Sequence, residues 1–162
     1  MFNTQTKSRE FKIDSNNYLK ALFDLMKPRV MSLAVFTCIV GMIIAPERVD
    51  ILTSCLSIFA VALGSGAAGA LNMWYEADLD SLMSRTCLRP IPTGRLTKNQ
   101  ALIFGTVTSI ISVLALYFFS NLIAAILLAT TILFYVFIYT IWLKRKTPQN
   151  IVIGGASGAL PP

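Results

Sequence analysis

Residues 51–81, ILTSCLSIFAVALGSGAAGALNMWYEADLDS, decide how the chain folds. The first 21 of them are apolar or small. The last ten then bring in Asn72, Glu76, Asp78 and Asp80. A run of 51–75 is long enough to cross the ~30 Å hydrocarbon core of a bilayer as a helix. A lone strand would leave its backbone groups unpaired in lipid, so the helix is the physical solution.

The rest of the chain repeats that pattern. Residues 30–46, 101–119 and 122–143 are also apolar and of similar length, and another apolar stretch begins at Ile151 and reaches Pro162. Over 162 residues, 55% are hydrophobic and 14% charged, which is too apolar for a soluble domain of this size. The expected fold is all-α: a multi-pass transmembrane helix bundle with four full spans plus the start of a fifth. Residues 1–29 form a polar tail with a short amphipathic helix near YLKALFDLM, and residues 30–162 form the membrane domain. The tail mixes six basic residues with Glu10, Asp14 and Asp24, unlike a signal or transit peptide. Ser120 and Asn121 mark a tight hairpin.

Charge gives the orientation. The net charge is +6, but thirteen of the fourteen basic residues fall in the tail, in 76–100 and in 144–150, and the remaining one is Arg48. The positive-inside rule therefore puts the tail and the acid cluster on the cytoplasmic side of the membrane, expected to be a bacterial inner membrane, and assigns the basic residues to topology rather than to nucleic acid. Cys38, Cys55 and Cys87 show no paired spacing, and there is no histidine, which argues against a disulfide framework or a zinc site and for cysteines that serve as small apolar residues.

Asn72, Glu76 and Asp80 are four residues apart, so their oxygens line one helix face, while Asp78 points elsewhere. Gly64 and Ala68 continue that face into the membrane. Two readings of the small residues stand: close helix packing, or a groove open to a ligand. Two readings of the acids also stand: a solvated helix end, or oxygen ligands. Their alignment, and the arginines that follow (Arg85, Arg89, Arg95, with Lys98), favour the second. Hard oxygen ligands suit Mg²⁺, which binds through one or two carboxylates plus substrate phosphates. Arginine forks suit the phosphate oxygens. Pro90 and Pro92 are expected to end the helix and to send the chain into an extended loop that folds the arginines back over the acids. The residues alone thus indicate a cytoplasm-facing, membrane-embedded site for a metal-bound phosphate or diphosphate.

The stretch NMWYEADLDSLMSRTCLRPIPTGRL resembles the first aspartate-rich motif of the UbiA-type intramembrane prenyltransferases, which reads N-D-x-x-D-x-x-x-D followed by an Arg-Thr-x-x-Arg-Pro element. Met73 and Glu76 depart from it, each standing where Asp is usual. LMKPRVMSLAVFTCIVGMIIAP and YTIWLKRKTPQNIVIGGASGALPP resemble the first helix and the fourth-to-fifth helix connection of the haem-pathway branch, so the likeness covers about residues 22–162. It implies transfer of a farnesyl group from farnesyl diphosphate to a vinyl group of protohaem IX, giving haem O. It further implies Mg²⁺ on Asn72, Glu76 and Asp80, and diphosphate on Arg85, Arg89, Lys144 and Arg145. Tyr139, with Gly64 and Ala68, would border the substrate pocket. A belt aromatic is the alternative for Tyr139, and a topology signal for Lys144 and Arg145. Family members are about twice this length and carry a second acid-rich motif, whereas no Asp or Glu follows Asp80 here. The expectation is therefore an N-terminal part, inactive alone and completed by a second chain if at all. The alternatives are a quinone-pathway aromatic prenyltransferase and a non-catalytic membrane remnant or assembly protein.

Overall fold

The computed structural model describes residues 15–46 and 49–143, all in helices and their connections. The order is α1 (Ser15–Leu25), α2 (Pro28–Ile44), α3 (Ile51–Leu82), α4 (Lys98–Phe119), α5 (Leu122–Leu133) and a π-helical continuation of α5 (Phe134–Leu143). Three helices are long and apolar enough to cross a membrane, or four if the bent pair α1–α2 counts as one span. The bundle expectation holds. The fifth apolar stretch, Lys144, Arg145 and Arg48 lie outside the described residues.

Pro28 shapes the first corner. It occupies the start of α2, where its missing N–H costs nothing. It also bars Lys27 from ordinary helical geometry. Lys27 takes a left-handed backbone, φ 52° and ψ 67°, and is the one non-glycine residue among those described with positive φ. That conformation costs about 1–2 kcal/mol, so surrounding contacts must hold it. Here α1 and α2 meet at 55°.

The central element is α3. Asp50 caps it, its Oδ2 accepting from the Thr53 N–H at 3.0 Å. At 1.5 Å per residue its 32 residues span about 48 Å, well beyond the hydrocarbon core. Part of the helix therefore has the length to extend past the lipid interior. Gly64, Gly66, Ala67, Ala68, Gly69 and Ala70 are all buried, because neighbours crowd this helix from several sides. A Cβ on Gly105 of α4 would come within 2.8 Å of Leu71 Cγ, so glycine there permits the α3–α4 approach.

The helix does not stop where the prolines stand. It ends at Leu82, eight residues before Pro90, with Met83 extended. Residues 83–96 then form successive turns rather than an extended loop. The reason is local hydrogen bonding: Thr86 Oγ1 donates to the Asp80 carbonyl (3.0 Å), and the Arg89 N–H to Thr86 O (3.0 Å). Gly94, with φ 74°, turns the chain toward α4, whose start is closed by a reciprocal Thr97–Gln100 capping box. Ser120 and Asn121 make the expected tight hairpin, with Asn121 Oδ1 accepting from the Ala124 N–H at 2.7 Å.

Two apolar clusters hold the bundle. One joins Cys38, Val61, Ala68, Leu116, Leu128 and Ile132 within the spans. The other joins Ala21 and Leu25 of α1 to Ala70, Met73, Leu96 and Ala101, anchoring α1 and the turn segment to the acidic end of α3. Outward-facing Leu33, Phe36, Ile43, Ile103, Phe118 and Phe137 are exposed, as a lipid-facing surface requires.

Candidate functional site

The helical spacing of Asn72, Glu76 and Asp80 becomes a buried stripe: they are 0, 5 and 3% exposed, whereas Asp78 faces outward beside Lys98 (3.9 Å). Burying two carboxylates is costly without a partner. That partner is Arg89. Its Nη1 lies 2.6 Å from Asp80 Oδ2 and 4.0 Å from Glu76 Oε2. The turns after α3 position it, since Thr86, three residues before Arg89, ties the chain back to the Asp80 carbonyl. The two acids thus converge on one cationic group.

Asn72 is arranged differently. Its Oδ1 accepts from Lys27 Nζ, and its Nδ2 donates to Thr140 Oγ1 at 3.1 Å. Thr140 in turn donates to the Tyr135 carbonyl at 2.9 Å, a link of five residues that follows from the π-helical winding. A chain of hydrogen bonds therefore joins the α1–α2 corner, α3 and the end of α5.

The donor set can be weighed against a divalent cation. Glu76 and Asp80 fit: both are buried, a helical turn apart, and directed at a common positive centre. Both Asn72 polar groups are engaged elsewhere. Among the described residues there is no cluster of three or more His, Cys, Asp or Glu side chains, and the carboxylates they bring to this point are a pair. A pair plus phosphate oxygens and water is an arrangement Mg²⁺ accepts.

An apolar cavity lies beside the stripe, between α2, α3 and α5. Lys27, Ser65, Ala68, Gly69, Leu128 and Tyr135 are among its walls. Ala68 thus lines it, while Gly64 faces away into a packed contact, where a Cβ would meet Leu128 Cδ1 at 2.9 Å and Ser112 Oγ at 3.1 Å. Tyr139 stacks against Tyr135, centroids 5.1 Å apart. Arg85 is exposed on the first turn. Arg95 is drawn away: it pairs with Asp24 at 3.0 Å and with the Leu88 carbonyl, locking α1 to the turn segment. Lys27, Thr86 and Thr140 are site residues that periodicity does not reveal. Lys27 counts only as one tail charge in the sequence, although the Lys-Pro pair at a helix start is a visible signal of an unusual corner.

The UbiA prenyltransferase family model matches residues 34–162. The chain belongs to the UbiA prenyltransferase family. A protoheme IX farnesyltransferase of Pelagibacter ubique (strain HTCC1062) is 62% identical over 162 residues, covering all of this chain and 54% of that protein. Protoheme IX farnesyltransferases of Beijerinckia indica subsp. indica and Methylocella silvestris are each 59% identical, over 140 and 138 residues, covering 86% and 85% of this chain and 44% of their own length. The likeness to the haem-pathway branch is thus borne out. The chain spans about half the length of the curated relatives it matches. No solved structure matches it. Within this UbiA family chain, the buried stripe falls on the stretch in which the family motif was read.

Proposed function

We propose that this chain forms the first, diphosphate-binding half of a haem O-forming farnesyltransferase site. The observation that carries the reading is the convergence of buried Glu76 and Asp80 on Arg89, next to an apolar cavity in a membrane-length bundle. The names of the relatives support farnesyl diphosphate and protohaem IX as the substrates. Charge counting supports a cytoplasmic N-terminus and a site opening on that side of a bacterial inner membrane.

Departure of diphosphate from an allylic carbon needs stabilisation of the leaving charge more than covalent help. Glu76 and Asp80 would hold Mg²⁺, which when bound neutralises diphosphate oxygens as a Lewis acid. Arg89 bridges the acids. With diphosphate present, its guanidinium offers further N–H donors to the phosphate oxygens. Arg85, on the same turn segment, and Lys144 with Arg145 would add positive charge. The apolar cavity walls keep water from the reacting carbon; Ala68 and Tyr135 border that space, with Tyr139 stacked against Tyr135.

Among the described residues two carboxylates face the site, and the reading assigns the rest of the acidic set to a second arm of the kind family members carry in their later half. The test is a membrane assay with farnesyl diphosphate, Mg²⁺ and haem, using the chain alone and the chain co-expressed with the C-terminal half of the Pelagibacter relative. Haem O is expected from the pair and not from the chain alone, and Asp80→Asn is expected to abolish it. Haem O from the chain alone would overturn the need for a second half. Prenylation of an aromatic acid in its place would favour the quinone pathway. Full activity of both Glu76→Gln and Asp80→Asn would remove the acids from the mechanism.

A further inference from the structure

Among the described residues, Lys27 is the one charged residue of the cavity walls, and three separate features hold it there. Its left-handed backbone turns α1 into α2 and directs the side chain toward α3. The corner is seated on glycines: a Cβ on Gly69 would stand 3.2 Å from the Met26 carbonyl oxygen and 3.6 Å from Lys27 Cβ, and one on Gly66 would collide with the Met26 side chain. Asn72 then holds the ammonium by its Oδ1. Lysine has only donors, so this contact fixes which way the Asn72 amide faces, and Thr140 satisfies the other end. Asn72 meets the ammonium with a neutral amide oxygen. A non-glycine residue held in a costly backbone conformation at the rim of a cavity is characteristic of a functional position.

The cations of the stripe are therefore arranged at both ends. Arg89 covers Asp80 and Glu76, and Lys27 covers Asn72, one turn deeper and at the apolar cavity itself. We propose that Lys27 is an anion-binding residue of this site: its ammonium takes a diphosphate oxygen of an amphipathic ligand whose apolar part enters the cavity, and Asn72 is the positioning residue that aims it. This rests on the prenyl diphosphate reading above and adds to it a group from the α1–α2 corner.

The test uses the whole chain in lipid nanodiscs. Binding of radiolabelled farnesyl diphosphate and of inorganic diphosphate, each with Mg²⁺, is measured at low and high ionic strength. Lys27→Gln keeps a donor for Asn72 and removes the charge. Lys27→Arg keeps the charge. Uncharged farnesol serves as the control for an intact cavity. Lys27→Gln is expected to weaken both diphosphates roughly 10- to 100-fold, the worth of a charge-assisted hydrogen bond. It should also flatten their ionic-strength dependence and leave farnesol binding unchanged, while Lys27→Arg retains diphosphate binding. Equal diphosphate affinity in Lys27→Gln and wild type, with Asp80→Asn impaired, overturns the Lys27 assignment and leaves the prenyl diphosphate reading standing. Parallel loss of farnesol binding in both Lys27 variants assigns the residue a structural role and also overturns it. Failure of the wild-type chain to bind either diphosphate overturns both readings.

Discussion

Arg89 lies nine residues beyond Asp80, yet its Nη1 stands 2.6 Å from the Asp80 Oδ2. The helix end and the turn segment after it are therefore one unit. Asp80 is almost fully buried, and the Arg89 side chain is one-quarter exposed. Removing the cation leaves a carboxylate that water reaches poorly.

The pair can be dissected by a double-mutant cycle. Arg89→Gln alone should destabilise the chain by about 3 kcal/mol, the lower end of the cost of breaking a buried pair. Asp80→Asn with Arg89→Gln should recover part of that loss, because the carboxylate nearest the lost guanidinium then carries no charge. Denaturation in mixed micelles gives the coupling energy. Strict additivity of the two changes would show that the contact is not an energetic unit.

Thr140 supports Asn72 from the far side of α3. Thr140→Val preserves shape but strips the acceptor from the Asn72 Nδ2 at a position with no solvent access. The expected cost is about 1–3 kcal/mol, that of an unsatisfied buried donor. Thr140→Ser should restore most of it. If the hydroxyl is the relevant group, the stability order by thermal unfolding in detergent is wild type, then Ser, then Val.

Much of this architecture is legible in the sequence, for reasons that can be named. The spans are visible because lipid admits only long apolar helices. The acid stripe is visible because i, i+4 spacing survives any tertiary context. What is not legible depends on contacts distant in sequence or on competing local bonds. Lys27 meets Asn72 across 45 residues, and no periodicity encodes that meeting. Pro90 looks like the end of α3, but the chain turns at Leu82 because Thr86 satisfies a carbonyl of the last turn. Gly64 and Ala68 share a face by spacing; which of them meets the cavity was decided by where Leu128 packs.

The glycines make a graded prediction. At Gly105 an added methyl meets Leu71 Cγ at 2.8 Å and its backbone nitrogen at 3.3 Å, and the backbone cannot yield. At Gly64 the nearest obstacle is Leu128 Cδ1, the free end of a side chain that can change rotamer. Overpacking costs about 1–3 kcal/mol, and alanine recovers up to ~1 kcal/mol of helix propensity. Gly105→Ala should therefore destabilise by about 1–2 kcal/mol while Gly64→Ala stays near neutral. Parallel chemical unfolding of the two variants decides it, and a reversed order would contradict the packing described for α3 and α4.

Asp50 links pH to the opposite end of α3. Hydrogen bonding from Thr53, by its side chain first and then its backbone N–H, holds the Asp50 carboxyl below the usual aspartate value. A carboxyl whose folded pKa is depressed stabilises the fold above its unfolded pKa of about 3.9. That contribution disappears as pH falls through the lower folded value. The negative charge also sits at the positive end of the α3 dipole. Asp50→Ala should therefore lower the melting temperature at neutral pH, and its gap from wild type should close on acidification below pH ~4. Asp50→Asn keeps a capping oxygen without a titrating group, so it should behave in between at neutral pH and show no such closure. Thermal unfolding across that pH range checks all three proteins. A gap for Asp50→Ala that stays constant down to strong acid would mean that the carboxylate charge plays no part in holding the start of α3.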